Sequence, residues 1–256
     1  MGFEGGITET LRHIKGKIKP SFGRFSQMPV DQDSYEGGWH RKSIVSDRQP
    51  EGGRGLDEYE NILGFDRSEF QGKIVLDLGA GPELKFAKDL HEYDINATVT
   101  EFSPDFFYKE FRERANQSFT GVNKVAGLGQ SLPFKDNSFD RVVALHVLDH
   151  LEELGEGVEH KFICEIGRVL TIGGIAYIGP SRENFLNEDK LYNRILADKD
   201  TMNILSGFGI SISHQEIPLE YFTTAVYVPS EYRPPSNRRS IIEGGGFRIL
   251  LEKKTL

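Results

Sequence analysis

The chain has 256 residues, a formal charge of −8 and a pI near 5.5, a balance that disfavours a general electrostatic grip on nucleic acid. Apolar residues make up 38% and charged residues 27%, as in a globular chain with a core, and no apolar run approaches the roughly 18 residues that span a bilayer. The single cysteine, Cys164, excludes an intramolecular disulfide, and its apolar neighbours Phe162, Ile163 and Ile166 predict a buried thiol. With no secretory apolar segment near Met1, the expected compartment is cytoplasmic.

Residues 1–56 differ from the rest. They hold ten of the 28 glycines and the only tryptophan, Trp39, and carry about +2 against about −10 for residues 57–256. Ile7, Leu11, Ile14 and Ile18 share one helical face, and Pro20 stops that helix. It reads as a helix packed on the main domain or a partner, as a loose tail, or as a membrane-surface helix; residues 7–19 are thus a candidate partner or membrane contact. Residues 29–55 read as a polar loop, either a lid over a site, with Trp39, His40, Arg41 and Lys42 as substrate contacts, or a disordered linker. The domain division expected is an extension over 1–56 and a catalytic domain over 57–256.

From there strand and helix alternate. Leu56 to Phe65 reads as a helix with Tyr59, Ile62 and Leu63 on one face. A first strand, 73–78, runs into Gly79-Ala80-Gly81-Pro82, and a helix follows over 84–91. A second strand, 97–102, ends near the acid Glu101. Ser103 and Pro104 then form a helix start, as N-cap and first helical residue. Strands at 122–126 and 139–147 come next, then a helix over 158–170 that Gly173-Gly174 ends, and a strand at 175–178. A helix over 186–206, a strand near 210–217, a β-rich stretch at 221–228 and a final strand at 247–252 complete the chain. The fold class is α/β: a Rossmann-like, doubly wound, mostly parallel sheet with an antiparallel C-terminal hairpin.

In such a sheet ligands bind beyond the C-terminal strand ends, where strand order reverses. Gly79 and Gly81, Glu101, the 127–130 turn and His146 to His150 all fall there. The two glycines let the backbone approach a ligand closely, and Glu101 is placed to accept from a ribose diol. A dinucleotide fingerprint starting at Gly79 would need glycine or alanine at position 84, where Leu84 stands. No phosphate-binding P-loop occurs. His146 and His150, spaced i, i+4, need a third ligand to hold a metal, and none is assigned.

Val75-Leu76-Asp77-Leu78-Gly79-Ala80-Gly81 resembles the first motif of class I S-adenosylmethionine-dependent methyltransferases. The resemblance continues in order through Glu101, then 132–143 (Leu-Pro-Phe-Lys-Asp-Asn-Ser-Phe-Asp-Arg-Val-Val), 147–151 (Val-Leu-Asp-His-Leu) and 165–174. It points to the small-molecule and ubiquinone-type subgroup and covers roughly residues 57–180. It implies S-adenosyl-L-methionine as cofactor, with Gly79, Ala80 and Gly81 passing under its methionine and ribose. Asp77 would anchor the turn or contact the methionine amine, Glu101 would hold the ribose hydroxyls, and Phe102 would lie against the adenine. The implied set also takes in Leu128, Gly129, Gln130, Leu145 and His146. Two positions depart from the family pattern: Glu83 replaces the third glycine of the first motif, and Leu128 replaces an aspartate that accepts from the adenine amino group. Gln130, or the backbone at 129–130, is the substitute acceptor.

The implied reaction is an in-line methyl transfer to a small-molecule acceptor, in which the protein mainly aligns the reactants. His146 and His150 are the candidate bases or orienting groups, with capping and packing as the structural alternative. Asp140 reads as structural, and Arg168 with Glu165 as a tie between helix and sheet. A catalytically degenerate binding or scaffold protein on the same fold is the second hypothesis, and an RNA methyltransferase the third.

Overall fold

A computed structural model describes residues 53–151, 157–181, 191–217 and 246–255. The apolar run at the start of the sheet becomes its centre. β1 (Ile74–Leu78) lies between β2 (Thr98–Ser103) and β4 (Phe139–Leu145). With β3 (Asn123–Ala126), β5 (Leu170–Ser181), β6 (Ile210–Ile217) and β7 (Gly246–Lys253) it forms a seven-stranded sheet ordered β3-β2-β1-β4-β5-β7-β6. The first five strands pair in parallel, and β7 runs antiparallel to both β5 and β6. The α/β architecture with an antiparallel end is therefore the one expected from the pattern.

Alternate residues of the strands feed two cores, because successive side chains point to opposite faces. Leu76, Val142, Ala144 and Ile178 pack on one face against Phe162, Ile163 and Ile166 of α5 (Val158–Val169). Val75, Val143 and Tyr177 pack on the other against α1 (Leu56–Leu63) and α2 (Lys85–Glu92). Gly64, at φ 70, ends α1 in the left-handed conformation that glycine adopts without steric cost. The remaining helices are α3 (Lys109–Ser118), the single turn α4 (Leu148–Leu151), α6 (Leu191–Ala197) and α7 (Lys199–Gly207). Among the described residues no helix is long and apolar enough to cross a membrane.

Several local expectations are corrected. Ser103 caps as predicted, accepting from the Asp105 amide at 3.1 Å, but the segment it opens is a 3-10 turn, Pro104–Phe107, and the chain extends again at Tyr108 before α3. The helix expected over 186–206 is divided at Asp198, whose carboxylate accepts from the Asp200 amide and caps α7; residues 186–190 lie outside the described residues. Gly173-Gly174 does not end α5. That helix stops at Val169, and the glycines sit within β5, between Leu170 and Ile175, where the pairing with β4 shifts register. Cys164 is half-exposed rather than buried. Arg168 and Glu165 tie the helix to a loop instead of to the sheet. Arg168 donates to both Glu165 oxygens at 2.7 Å and to the Phe134 and Leu132 carbonyls at 2.8 and 3.0 Å, while Glu165 accepts from the Leu132 amide at 2.7 Å. Asp140 is structural as expected, accepting from the Ile74 amide at 2.9 Å and the Thr171 hydroxyl at 3.2 Å.

Residues 7–19, the 29–52 portion of the expected lid, and the β-rich stretch 221–228 lie outside the described residues. Gly53 to Leu56, grouped with the extension by composition, pack on the domain. The Leu56 amide donates to Asp89 of α2 at 2.7 Å, and Leu56 is fully buried.

Candidate functional site

The reversal of strand order falls at β1, between β2 and β4, and the glycine turn leaves the sheet at that point. Gly79 takes φ 82, and its amide donates to the Phe102 carbonyl at 2.8 Å, joining the ends of β1 and β2. A Cβ there would lie 2.5 Å from Cγ2 of Val147. Position 79 thus requires glycine for two reasons, its backbone angle and the close approach of the chain after β4. Ala80 is buried with Leu84, Phe106 and Ala115, and the turn closes with the Leu84 amide on the Gly81 carbonyl at 3.3 Å.

Beneath the turn lie two carboxylates. Asp77 and Glu101 are in register on β1 and β2 and are 1% and 0% exposed. Tyr59 of α1 donates its hydroxyl to Asp77, 3.2 and 3.1 Å from the two oxygens, and its ring stacks on Phe86 with centroids 4.5 Å apart. Among the described residues Glu101 has no hydrogen-bond partner other than Asp77, with which it can bond only through a shared proton. Lys124, in register with Glu101 on β3, directs its Nζ to the Phe119 carbonyl at 2.7 Å. Burial pushes Asp77 up to about 7, against the pull of its hydrogen bonds to Glu101 and Tyr59. Burial, then the charge of Asp77, pushes Glu101 well above the usual carboxylate range. The Tyr59 phenol is pushed up by burial and by both acids. Each shift has the direction expected for a negative charge deprived of water beside another.

A small polar cavity opens between this turn and the segment Gly53 to Gly55, lined among others by Arg54, Tyr59, Asp77, Gly79, Gly81 and Lys85. The segment lies close on the turn: a Cβ on Gly53 would sit 3.0 Å from the Cβ of Glu83, and one on Gly55 2.4 Å from an Asp89 oxygen.

The structure brings Asp77, Gly79, Gly81 and Leu145 together at this cavity, with Glu101 one strand away. Phe102 is a correction. It is 1% exposed and packs edge-on to Phe134 at 5.9 Å in the core, so it presents no face to an adenine ring. The cause is the period of the strand, which turns Phe102 to the opposite side from Glu101. Leu128 is buried, and its carbonyl accepts from the Ser131 amide at 2.9 Å. Gly129 packs under Phe162, where a Cβ would lie 2.5 Å from the ring. Gln130 keeps its side-chain oxygen buried with no donor among the described residues.

His146 takes φ 58 and is buried, its amide donating to the Gly179 carbonyl at 2.7 Å. His150 lies on α4, and its side chain lies outside the described residues. Glu83 is engaged by the neighbouring helix: its carboxylate pairs with Arg114, and its carbonyl accepts from the Ser118 hydroxyl at 2.7 Å. The residue standing in for the family's third glycine is therefore a brace between the turn and α3.

Tyr59, Arg54 and Lys85 are the site residues that sequence reasoning missed. Tyr59 falls on an apolar helical face with Ile62 and Leu63, so periodicity assigns it to the core. The available signal was chemical: a buried tyrosine hydroxyl needs a partner, and the acids ending the first two strands are the nearest candidates.

Residues 76–178 match the family model of a methyltransferase domain. The chain is 27% identical over 188 residues to 2-methyl-6-phytyl-1,4-hydroquinone methyltransferase 1, chloroplastic, of Oryza sativa subsp. japonica, a match covering 70% of this chain and 54% of that one. The chain thus spans about half the length of that curated relative. Among solved structures it resembles a chain of the Haloferax volcanii complex of the Trm112 methyltransferase activator, at TM-score 0.52 and 16% identity, covering 78% of this chain and 91% of that one. A TehB-like SAM-dependent methyltransferase from Corynebacterium glutamicum is similar at TM-score 0.47 and 15% identity, covering 89% of this chain and 100% of that one.

Proposed function

From a chain whose residues 76–178 form a methyltransferase domain, we propose an enzyme that transfers the methyl group of S-adenosyl-L-methionine to a small-molecule acceptor by in-line displacement. The observation that carries this reading is the buried Glu101, which among the described residues has no hydrogen-bond partner beyond Asp77, one strand from a glycine turn that admits no side chain at Gly79. A buried carboxylate with so few donors is costly, and a ribose diol supplies two. The acceptor class rests on the 27% identity to a hydroquinone methyltransferase.

The remaining groups suit the same ligand. Asp77 accepts from the α-amine, and Arg54 and Lys85 in the cavity offer positive charge to the α-carboxylate. The unpartnered oxygen of Gln130 takes the adenine amino group, the task that Leu128 cannot perform. The bound cofactor supplies an electrophilic methyl group on a positively charged sulfur. The chain's own residues hold that group in line with the acceptor and exclude water. His146 and His150, just after β4, are the groups assigned to orient the acceptor or take its proton.

Isothermal titration of the full chain with S-adenosylmethionine and with S-adenosylhomocysteine tests the proposal. Micromolar binding of both is expected. Absence of binding at millimolar ligand overturns it and leaves a binding or scaffold role on the fold.

A further inference from the structure

The Asp77–Glu101 pair has a property that ligand placement alone does not use. The two carboxylates are in register on adjacent strands and both are buried; among the described residues the only donor from outside the pair is the Tyr59 hydroxyl on Asp77. Two like charges side by side without water are strongly disfavoured. The pair therefore keeps one proton between its oxygens, which also gives Glu101 the donor it otherwise lacks.

We propose that this pair is the charge-selecting element of the site, exchanging its shared proton for the α-ammonium of the cofactor's amino-acid end. This rests on the cofactor reading above. The balance is simple. The free pair holds one proton and one negative charge; the ligand brings an ammonium beside Asp77 and a diol beside Glu101; the displaced proton goes to solvent. Both carboxylates are then ionised and both are compensated. A nucleoside lacking the ammonium gives no such exchange and leaves the pair protonated.

The surroundings agree with a proton-holding pair. From α1 only the neutral Tyr59 faces it, and from β4 the residue in register with Asp77 is Val143. Lys124 on β3 donates to the Phe119 carbonyl, and its charge pulls Glu101 downward against the effect of burial. Arg54 is 3.3 Å from Glu58, and Lys85 is paired with Asp89 at 2.5 Å. Among the described residues no cation forms an ion pair with either acid, and burial outweighs the pull of Lys124. Burial raises both acids, in the direction that keeps a proton on the pair.

The test is isothermal titration of the full chain at about pH 6.5, in phosphate and in Tris, with S-adenosylhomocysteine and with 5′-methylthioadenosine. The difference in heat between buffers counts protons. We expect about one proton released per S-adenosylhomocysteine and none per methylthioadenosine. Affinity for the former should rise with pH, by up to about tenfold per unit, as long as the free pair keeps its proton. Glu101→Gln, checked for folding by circular dichroism, should abolish the release; if that variant does not fold, the contrast between the two ligands in the native chain decides. Binding of S-adenosylhomocysteine with no proton release and a flat pH profile overturns the inference while leaving the cofactor reading intact. Equal release with both ligands also overturns it, since the diol alone would then drive the proton out. No binding of S-adenosylhomocysteine at any pH overturns both.

Discussion

Tyr59 and Asp77 are joined by a buried hydrogen bond, with the phenolic oxygen 3.2 and 3.1 Å from the two carboxylate oxygens. It is the link between the helix preceding the sheet and the acid that begins the glycine turn. Tyr59 is 5% exposed and Asp77 1%, so the bond is largely shielded from bulk water.

Tyr59→Phe should therefore lower stability by about 1–3 kcal/mol, the cost of leaving a buried acceptor without its donor. Urea unfolding at pH 8 and at pH 5.5 measures it. The loss is expected to be smaller at the lower pH, where the pair carries its proton. An equal loss at both would mean that the ring's packing on Phe86, not the hydroxyl, carries the effect.

The same pair sets a pH dependence of the ligand-free protein. Both acids titrate higher in the folded chain than in the unfolded one, so between about pH 4 and 7 the folded state holds more protons. The pair's contribution is fully present below about pH 4 and is lost as pH rises toward 7. Urea midpoints should fall from pH 5.5 to pH 7.5, and Glu101→Gln should flatten that slope. The lowered values of Asp66 and Asp198 act in the opposite direction, but below this window.

Gly79→Ala places a Cβ 2.5 Å from Val147 Cγ2 at a position with φ 82. The two penalties together should cost about 2–4 kcal/mol. Adding Val147→Ala removes the clash and leaves the backbone strain, so the double variant should recover part of the loss. Thermal unfolding of the four chains of that cycle gives the coupling directly. Zero coupling would show that the conformation of residue 79, not the approach of Val147, demands glycine.

Glu83→Ala should leave S-adenosylhomocysteine affinity within about threefold, because Glu83 braces the turn to α3 and its ion pair with Arg114 is partly exposed, a class of contact worth about 0–1 kcal/mol. A tenfold or greater gain in affinity would restore the reading of Glu83 as an obstruction in place of a glycine.

Phe102 and Glu101 show how far a sequence reading extends into the site. Their adjacency on a strand ending in an acid marks both as near the ligand edge, but a strand turns neighbours to opposite faces. One lies under the site, and the other lies in the core with Phe134. Gln130 illustrates the converse, since its unpaired oxygen becomes visible only when its burial is known.

The sequence by itself determined the α/β alternation, the first strand running into the glycine turn, and the acids at the ends of the first two strands. These depend on local patterns, on apolar periodicity and on the backbone freedom of glycine. Only the tertiary structure decided that Tyr59 covers Asp77, that Glu83 belongs to Arg114, and that Asp77 and Glu101 face each other in register. Such pairings depend on which strands become neighbours and which helix lies across them. Residues 18, 31 and 24 positions apart in the chain meet because α1 reaches the end of β1, α3 reaches the turn after it, and β2 pairs beside it.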